Sequence, residues 1–448
     1  MEIYVKKSTI IHPEKRTPEH HQPISDLDLV VPEVYVPNVF FYRRPGHSSN
    51  FFDAGLLKAA LSNVLVSFYP VAGRLSKDEN GRIEIDCNGE GVLFVEAETS
   101  CEIDDLGDFS DGFKLLPLIP NVDDIKHKSS RPLLVTQVTH FKCGGVCLGV
   151  RLHHILADAI STFYFINSWA EIARRLPVSI PPLLDRTILG VGVPTSSTFY
   201  HIEYDPPPSV NSPVQNIQSQ SNPGSICTAI LKLSLAQINI LKEKSKRNHE
   251  STFKYSRFEI LAAHIWRCVC KARGLSNDQA TKLHSPTNGR FRLNPSLPSE
   301  YFGNVIFTTT SVALAGDIQS EPLNFTVERI HRALKRMDND YLKSALAFLK
   351  QQSDPTVVRR GAHIYKCPNL NIVNLMQMPM YDADFGWSRP IFVRTVNTYF
   401  EGTSHILPSP TNDGSLSVSI NLETQHMRLF KKLFYENFLQ HQNTRSRY

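Results

Sequence analysis

No stretch of the 448-residue sequence is apolar for long enough to cross a membrane, and the opening MEIYVKKSTIIHPEK lacks the continuous apolar core of a secretion signal. No C-terminal anchor or address is visible, so the cytosol is the expected compartment and a membrane is not an expected partner. Long Lys/Arg runs are missing too. The formal net charge of +5 is small for this length, which argues against nucleic acid and still favours an anionic small molecule. The cysteines (Cys87, Cys101, Cys143, Cys147, Cys227, Cys268, Cys270 and Cys367) include no C-x-x-C pair and no framework spacing, so reduced thiols are expected. Nothing repeats at a short period, which excludes a solenoid.

What is present is ordinary globular material, 41% hydrophobic and 20% charged, in a chain long enough for two domains. The informative stretch runs from Val146 to Arg175, VCLGVRLHHILADAISTFYFINSWAEIARR. Val146, Leu148, Val150 and Leu152 alternate with Cys147, Gly149, Arg151 and His153, the period of a half-buried strand. From Ala159 the spacing turns helical, with Ile160, Phe163, Tyr164, Ile166, Trp169 and Ile172 on one stripe. The turn between them, HHILAD, holds His154 at a sheet edge where a reactant can approach. Asp158 follows at the start of the helix. By themselves these residues also fit a hydrogen-bonded core histidine and an N-cap aspartate. A second H-x-x-x-D, His201 to Asp205, stands in proline-rich sequence with nothing strand-like before it. No further His, Cys or Glu at ligand spacing completes a shell near His154, so no metal is expected.

Taken in order, Ile3 to Ile11 reads as a strand, Leu29 to Tyr42 as an extended segment, and Phe52 to Val66 as a helix capped by Asp53. Ile83 to Ile85 and Val92 to Ala97 read as a hairpin, and Leu133 to Phe141 as the partner of Val146 to His153. These make a first domain, residues 1–185. Residues 186–225, with Pro206, Pro207, Pro208 and SVNSPVQNIQSQSNPGS, read as a crossover linker. The second domain, 226–448, opens with a strand at Cys227. Helices follow at Leu235 to Lys246, Phe258 to Ala272 and Val327 to Lys350. Strands are expected at Val305 to Ala313, Val393 to Phe400, Ser404 to Leu407 and Leu416 to Leu422, before a last helix at Met427 to Phe438. Strands and helices mix in both halves, the pattern of an α/β protein.

The pairing of HHILAD (His153 to Asp158) with DFGWS (Asp384 to Ser388) resembles the plant BAHD acyltransferases, whose signatures are H-x-x-x-D and D-F-G-W-G. FYPVAGRL (Phe68 to Leu75), QVTHFKCGGV (Gln137 to Val146), YFGNVIFT (Tyr301 to Thr308), RGAH (Arg360 to His363), KCPNL (Lys366 to Leu370) and LPSPTNDGS (Leu407 to Ser415) are similar to the hydroxycinnamoyl-CoA shikimate/quinate branch of that family. The likeness runs over almost the whole chain. It implies a two-domain, chloramphenicol-acetyltransferase-like α/β fold, each domain a mixed β-sheet flanked by helices, with an active-site channel between them. Acyl-CoA would enter from one face and the acceptor from the other, meeting at His154.

The resemblance further implies that His154 is the general base, that no covalent acyl-enzyme forms, and that acyl-CoA is a co-substrate with no cofactor or metal needed. Asp158 would support the loop by pairing with Arg290 or Arg292. Asp384, Phe385, Gly386 and Trp387 would be structural, with an influence on CoA binding, and Ser256 and the loop at Arg290 would contact CoA. Relatives are usually monomers, so a monomer is expected.

Two glycines usual in the family are replaced, by Ser388 at the end of the second signature and by Ala159 after the first. Val36, Asn38 and Phe40 stand where shikimate-using relatives carry hydroxyl side chains, and Val373 and Leu375 where they carry a threonine and a tryptophan. A pocket built to bond a polyol rejects it once those donors are gone. Arg360 resembles the arginine that holds the acceptor's carboxylate, although an interdomain ion pair would use the same residue type. The expected activity is therefore transfer of a p-coumaroyl or caffeoyl group to the hydroxyl of a small carboxylate-bearing acceptor with a less polar body. An amide-forming member of the family and a non-catalytic CoA-binding homologue are the alternatives.

Overall fold

The computed structural model describes residues 1–46, 50–122, 130–209, 226–246, 255–396 and 400–445. Val146–His153 is an inner strand of a six-stranded sheet in the order Tyr4–Ile11, Val92–Thr99, Leu134–Phe141, Val146–His153, Tyr35–Tyr42, Phe392–Thr395. One pair, Val92–Thr99 with Leu134–Phe141, is parallel and the others are antiparallel. Gly149 is required in that inner strand by close approach, since a Cβ there would stand 2.1 Å from the Leu118 carbonyl oxygen.

Helices Ala54–Ser67 and Ala159–Ala173 bury their apolar stripes on this sheet. Trp169, wholly buried, donates from Nε1 to the Leu57 carbonyl at 3.0 Å, which ties the two helices together. Leu57, Leu61, Val64, Ile166 and Trp169 are all inaccessible, and burial of a side chain of this size is worth roughly 1.5–3 kcal/mol.

The second sheet has the order Ile306–Leu314, Ala280–Asn288, Leu370–Asn374, Thr403–Pro408, Leu416–Glu423, Ile226–Leu233, with Leu370–Asn374 parallel to both neighbours. One of its faces, with Leu283, Leu370, Ile372, Ile406 and Ile420, packs under helices Arg257–Ala272 and Thr424–Arg445. The opposite face is polar, and His284, Asn371 and Thr403 lie in one row across it. A small sheet of His21–Pro23, Ile83–Asp86 and Arg74–Lys77 completes the first lobe. The α/β class and the mixed sheets agree with expectation.

Several elements depart from the reading by pattern. Ile83–Asp86 and Val92–Thr99 are not a hairpin: the former pairs with His21–Pro23 and Arg74–Lys77, the latter with Tyr4–Ile11 and Leu134–Phe141. Gly91, at φ +86°, turns the chain between the two sheets where a Cβ would lie 2.5 Å from the Ile11 carbonyl oxygen. The expected helix from Val327 to Lys350 is two helices, Leu323–Arg336 and Asn339–Lys350, because Asp338 leaves the helical conformation to cap the second, accepting from the Tyr341 amide at 3.0 Å.

Residues 187–204 are not a free linker. Leu189 is buried against Leu342 and Leu346, and His201 bonds Glu203 and Ser344 at 3.0 Å each, so the second H-x-x-x-D is a packing feature. Residues 210–225 lie outside the described residues, as do 397–399 of the expected strand Val393 to Phe400. The strand that is described, Phe392–Thr395, crosses back to become the edge of the first sheet against Tyr35–Tyr42. Strands Ala280–Asn288 and Leu370–Asn374 were not anticipated, since one contains a proline and the other is only five residues long.

Candidate active site

His154 follows directly on its strand. Its amide donates to the Val34 carbonyl at 2.9 Å, extending the pairing with Tyr35–Tyr42 by one step. His153 takes the other face and is buried edge-on against Tyr35, with ring centroids 4.8 Å apart. From there to Asp158 the chain makes a turn whose carbonyls are held by residues distant in sequence. Asn304 donates from Nδ2 to the carbonyls of His154 and Ile155 at 2.8 and 3.2 Å. Arg186 donates to those of Ile155 and Leu156 at 3.3 and 2.7 Å. Asp28, wholly buried, anchors both: it bridges Arg186 at 2.9 Å and accepts two bonds from Asn304. Asp28, Ser161, Arg186 and Asn304 were not picked out as supports of the site from the sequence, although Ser161 lay inside the Val146 to Arg175 stretch and Asn304 inside YFGNVIFT.

Asp158 does two things at once. It caps helix Ala159–Ala173, accepting from the Ser161 amide at 3.0 Å. Its carboxylate also accepts from Arg290 Nη1 and Nη2 at 2.7 and 3.1 Å and from the Val305 amide at 3.1 Å. Of the two arginines expected as its partner, Arg290 is therefore the one. Ser161 shares the same guanidinium at 3.0 Å. Arg290 is wholly buried in this pair and does not line the cavity that His154 faces, against the expectation that it contacts CoA. Arg292, two residues on, lines the cavity instead.

The cavity itself, about 830 Å³, opens between the lobes, and His154 lies in its wall. Nδ1 of the imidazole is buried without a well-formed hydrogen bond, so Nε2 is the nitrogen left to the cavity. Burial pulls the imidazole below its ordinary pKa; the Asp158 charge opposes that fall and the Arg360 charge adds to it. The ring is therefore neutral near pH 7.

Around it the cavity is apolar on one side (Val36, Ile160, Phe163, Val373, Leu375 and Met376) and polar on the other, where Ser285, Thr287, Asn371, Thr403 and His405 face in. Asn38 lines it too, accepting from Thr395 Oγ1 at 2.9 Å. Phe40 does not: it is wholly buried in the first core, edge-on to Phe163, so it forms no part of an acceptor pocket. Arg360 lines the cavity, donates to the Ile306 carbonyl at 2.8 Å, and has no carboxylate within ion-pair distance among the described residues.

Ser256 caps helix Arg257–Ala272 in a reciprocal box with Glu259 and also lines the cavity. The second signature lies elsewhere. Phe385 is buried with its ring 5.0 Å from that of Trp169, Trp387 stacks on Phe52 at 5.1 Å, and Asp384 accepts from the Gly386 amide at 2.9 Å across a turn with Gly386 at φ +102°. This segment is thus bonded into the first lobe rather than the second. Ser388 and Ala159 both keep negative φ, so neither replacement strains the backbone. Among the described residues no three His, Cys, Asp or Glu side chains converge as a metal site, and no helix is long and apolar enough to cross a membrane.

A two-lobed α/β molecule with a histidine facing the interlobe cavity has counterparts among known proteins. A family model described as "Transferase family" matches residues 1–437. The chain belongs to the BAHD acyltransferase family. BAHD relatives include the shikimate O-hydroxycinnamoyltransferase of Nicotiana tabacum, 52% identical over 97% of this chain and 100% of the relative. Another is the hydroxycinnamoyl-CoA:5-hydroxyanthranilate N-hydroxycinnamoyltransferase of Avena sativa, 44% identical over 97% of this chain and 99% of the relative. The crystal structure of vinorine synthase shares the fold, with a TM-score of 0.74 at 21% identity over 96% of each chain.

Proposed function

We propose that this BAHD enzyme moves a hydroxycinnamoyl group from CoA to the hydroxyl of a small carboxylate-bearing acceptor, with His154 as general base. The observation that carries this reading is one cavity holding both a neutral imidazole and a buried arginine without a protein carboxylate. Nε2 of His154 accepts the proton of the acceptor hydroxyl as its oxygen forms a bond to the thioester carbonyl carbon. The tetrahedral intermediate then collapses, the carbon–sulfur bond breaks, and the imidazolium returns its proton to the departing thiolate. No acyl-enzyme and no metal enter, because the thioester is already activated and the cavity supplies orientation.

Asp158 and Arg290 shape the HHILAD turn and do not touch the reacting atoms. Arg360 binds the acceptor's carboxylate bidentately, its charge otherwise uncompensated in a buried site. Val36, Val373 and Leu375 surround the acceptor's body, and this apolar wall suits a less polar acceptor than shikimate. Ser256 and Arg292 offer a hydroxyl and a cation to the pantetheine-phosphate arm of CoA. The free thiols of all eight cysteines suit a reducing cytosol, where the enzyme works as a monomer.

Amide formation is the second reading, favoured by the oat relative that acylates an amine. Both relatives' named acceptors, shikimate and 5-hydroxyanthranilate, carry a carboxylate, as Arg360 requires. An aliphatic ammonium would be repelled by that same guanidinium. The test is an acceptor screen of hydroxy acids and amines with p-coumaroyl-CoA and caffeoyl-CoA, read by mass spectrometry. With the acceptor so found, Arg360→Gln should raise its KM roughly 10-fold to 100-fold, the worth of a charge-assisted bond, and leave the KM for the CoA donor alone. An unchanged acceptor KM sinks the assignment.

A further inference from the structure

The polar face of the second sheet contains groups that the transfer reaction leaves without a task. Asn371 stands in register between His284 on one neighbouring strand and Thr403 on the other. All three side chains are more than nine-tenths buried. Asn371 Oδ1, Thr403 Oγ1 and His284 Nε2 each lack a hydrogen-bond partner, a costly state for a buried polar atom in a native fold. Asn371 and Thr403 form part of the cavity wall, together with Tyr365, Phe400 and Arg360, and His284 lies behind them with its ring 6.0 Å from that of Tyr365.

The chemistry of the niche is specific. Asn371 presents an amide oxygen that accepts and an amide nitrogen that donates, and Thr403 a hydroxyl that does both. His284 is bonded through Nδ1 to Thr310 Oγ1 at 3.0 Å and is driven by burial to a pKa of about 3, so it stays neutral at physiological pH. The charged side chains acting on it are the cations Lys282 and Arg360, which disfavours an ammonium ligand. A single hydroxyl satisfies the set, donating to Asn371 Oδ1 while accepting from the Thr403 hydroxyl and from His284 Nε2–H, the tautomer in which Nδ1 accepts from Thr310.

Arg360 decides which substrate brings it. It lines the same cavity as His154, Asn371 and Thr403, so one small molecule in that cavity has the reacting centre, the guanidinium and the niche all in its wall. A molecule with its carboxylate on Arg360 and its nucleophilic oxygen at His154 has its remaining body bounded by the apolar wall and by this row.

Resting on the acyl-transfer reading above, we propose that His284, Asn371 and Thr403 form a subsite for a distal hydroxyl of the acceptor, which makes the acceptor an aromatic hydroxy acid bearing a ring hydroxyl. The test uses phenyllactate and its para-hydroxy counterpart as acceptors with p-coumaroyl-CoA, and reads the ratio of their kcat/KM values. The wild-type enzyme should favour the hydroxylated acid roughly 10-fold to 100-fold. In Thr403→Val and Asn371→Leu that ratio should fall towards one.

A wild-type ratio near one means that the niche holds only water and overturns the proposal. So does a ratio that survives both substitutions. If the variants instead alter the preference between p-coumaroyl-CoA and cinnamoyl-CoA, the niche serves the donor ring and the proposal is wrong. Absence of turnover with every carboxylate acceptor would defeat the acyl-transfer reading itself. Calorimetric binding of the same acid pair to wild type and Thr403→Val would then still decide the niche.

Discussion

Asp158→Asn separates a residue that shapes the site from one that reacts in it. The carboxylate is almost wholly buried and receives four N–H groups, from Arg290 Nη1 and Nη2, Ser161 and Val305, at 2.7 to 3.1 Å. Each oxygen takes two of them, one from Arg290 and one from a backbone amide. Whichever oxygen becomes an amide nitrogen, two donors then face a donor. Arg290, with no exposed surface, keeps its charge and loses its counter-ion.

Breaking one side of such a pair costs about 3–5 kcal/mol, a large part of the roughly 5–15 kcal/mol that holds a folded domain together. Thermal unfolding followed by circular dichroism should show Tm lowered by roughly 6–20 °C. Removing both charges, in Asp158→Asn with Arg290→Gln, should cost less than the two single changes summed. Activity per folded molecule should fall because the HHILAD turn loosens, and the acid midpoint of kcat/KM should move to lower pH because the Asp158 charge no longer holds the imidazole's pKa up. An Asp158→Asn enzyme that melts like wild type yet loses activity 100-fold or more would show the carboxylate taking part in the reaction rather than shaping the turn, and refute the reasoning.

His154→Ala should lower kcat roughly 100-fold to 10,000-fold with Tm unchanged, measured by thiol release under saturating donor. Because burial lowers the imidazole's pKa, wild-type kcat/KM should stay on its plateau at the ordinary histidine value and decline only at pH below it; a midpoint above 6.5 would contradict the geometry. His264 and His405, driven by burial to about 4, and His284, driven to about 3, are neutral in the fold. The unfolded chain takes up protons on them as pH falls below about 6.5. Stability should therefore be fully present above that pH and decline between it and pH 4 by about 1.4 kcal/mol per unit for each histidine. Urea titrations across that window check this, and a flat profile would contradict it.

Local pattern carried a large share of this. The alternation to His153, the helical stripe from Ala159, the cap at Asp158 and the cap at Asp53 each depend on neighbours within a few residues, and all appear where the spacing puts them. The two signatures and their flanking segments were enough to place the chain in its family. The hairpin assigned to Ile83–Asp86 and Val92–Thr99 failed because alternation marks a strand without naming its partner. Leu370–Asn374 was missed because five residues with an asparagine on each face show too little apolar periodicity.

The amino-acid order by itself determined which side chains had reactive chemistry and which backbone they sat on. Tertiary structure alone decided what each one meets. Phe40 and Asn38 lie two residues apart on one strand, yet one is sealed in the core and the other lines the cavity. Asp28, Arg186, Arg290 and Asn304 come from four separate segments and converge on a single six-residue turn. His284, Asn371 and Thr403 become a row only through strand register. Periodicity reports energies exchanged along the chain, whereas these contacts are closed through space at the cost of ordering long loops, and no local rule encodes which distant segment will close them.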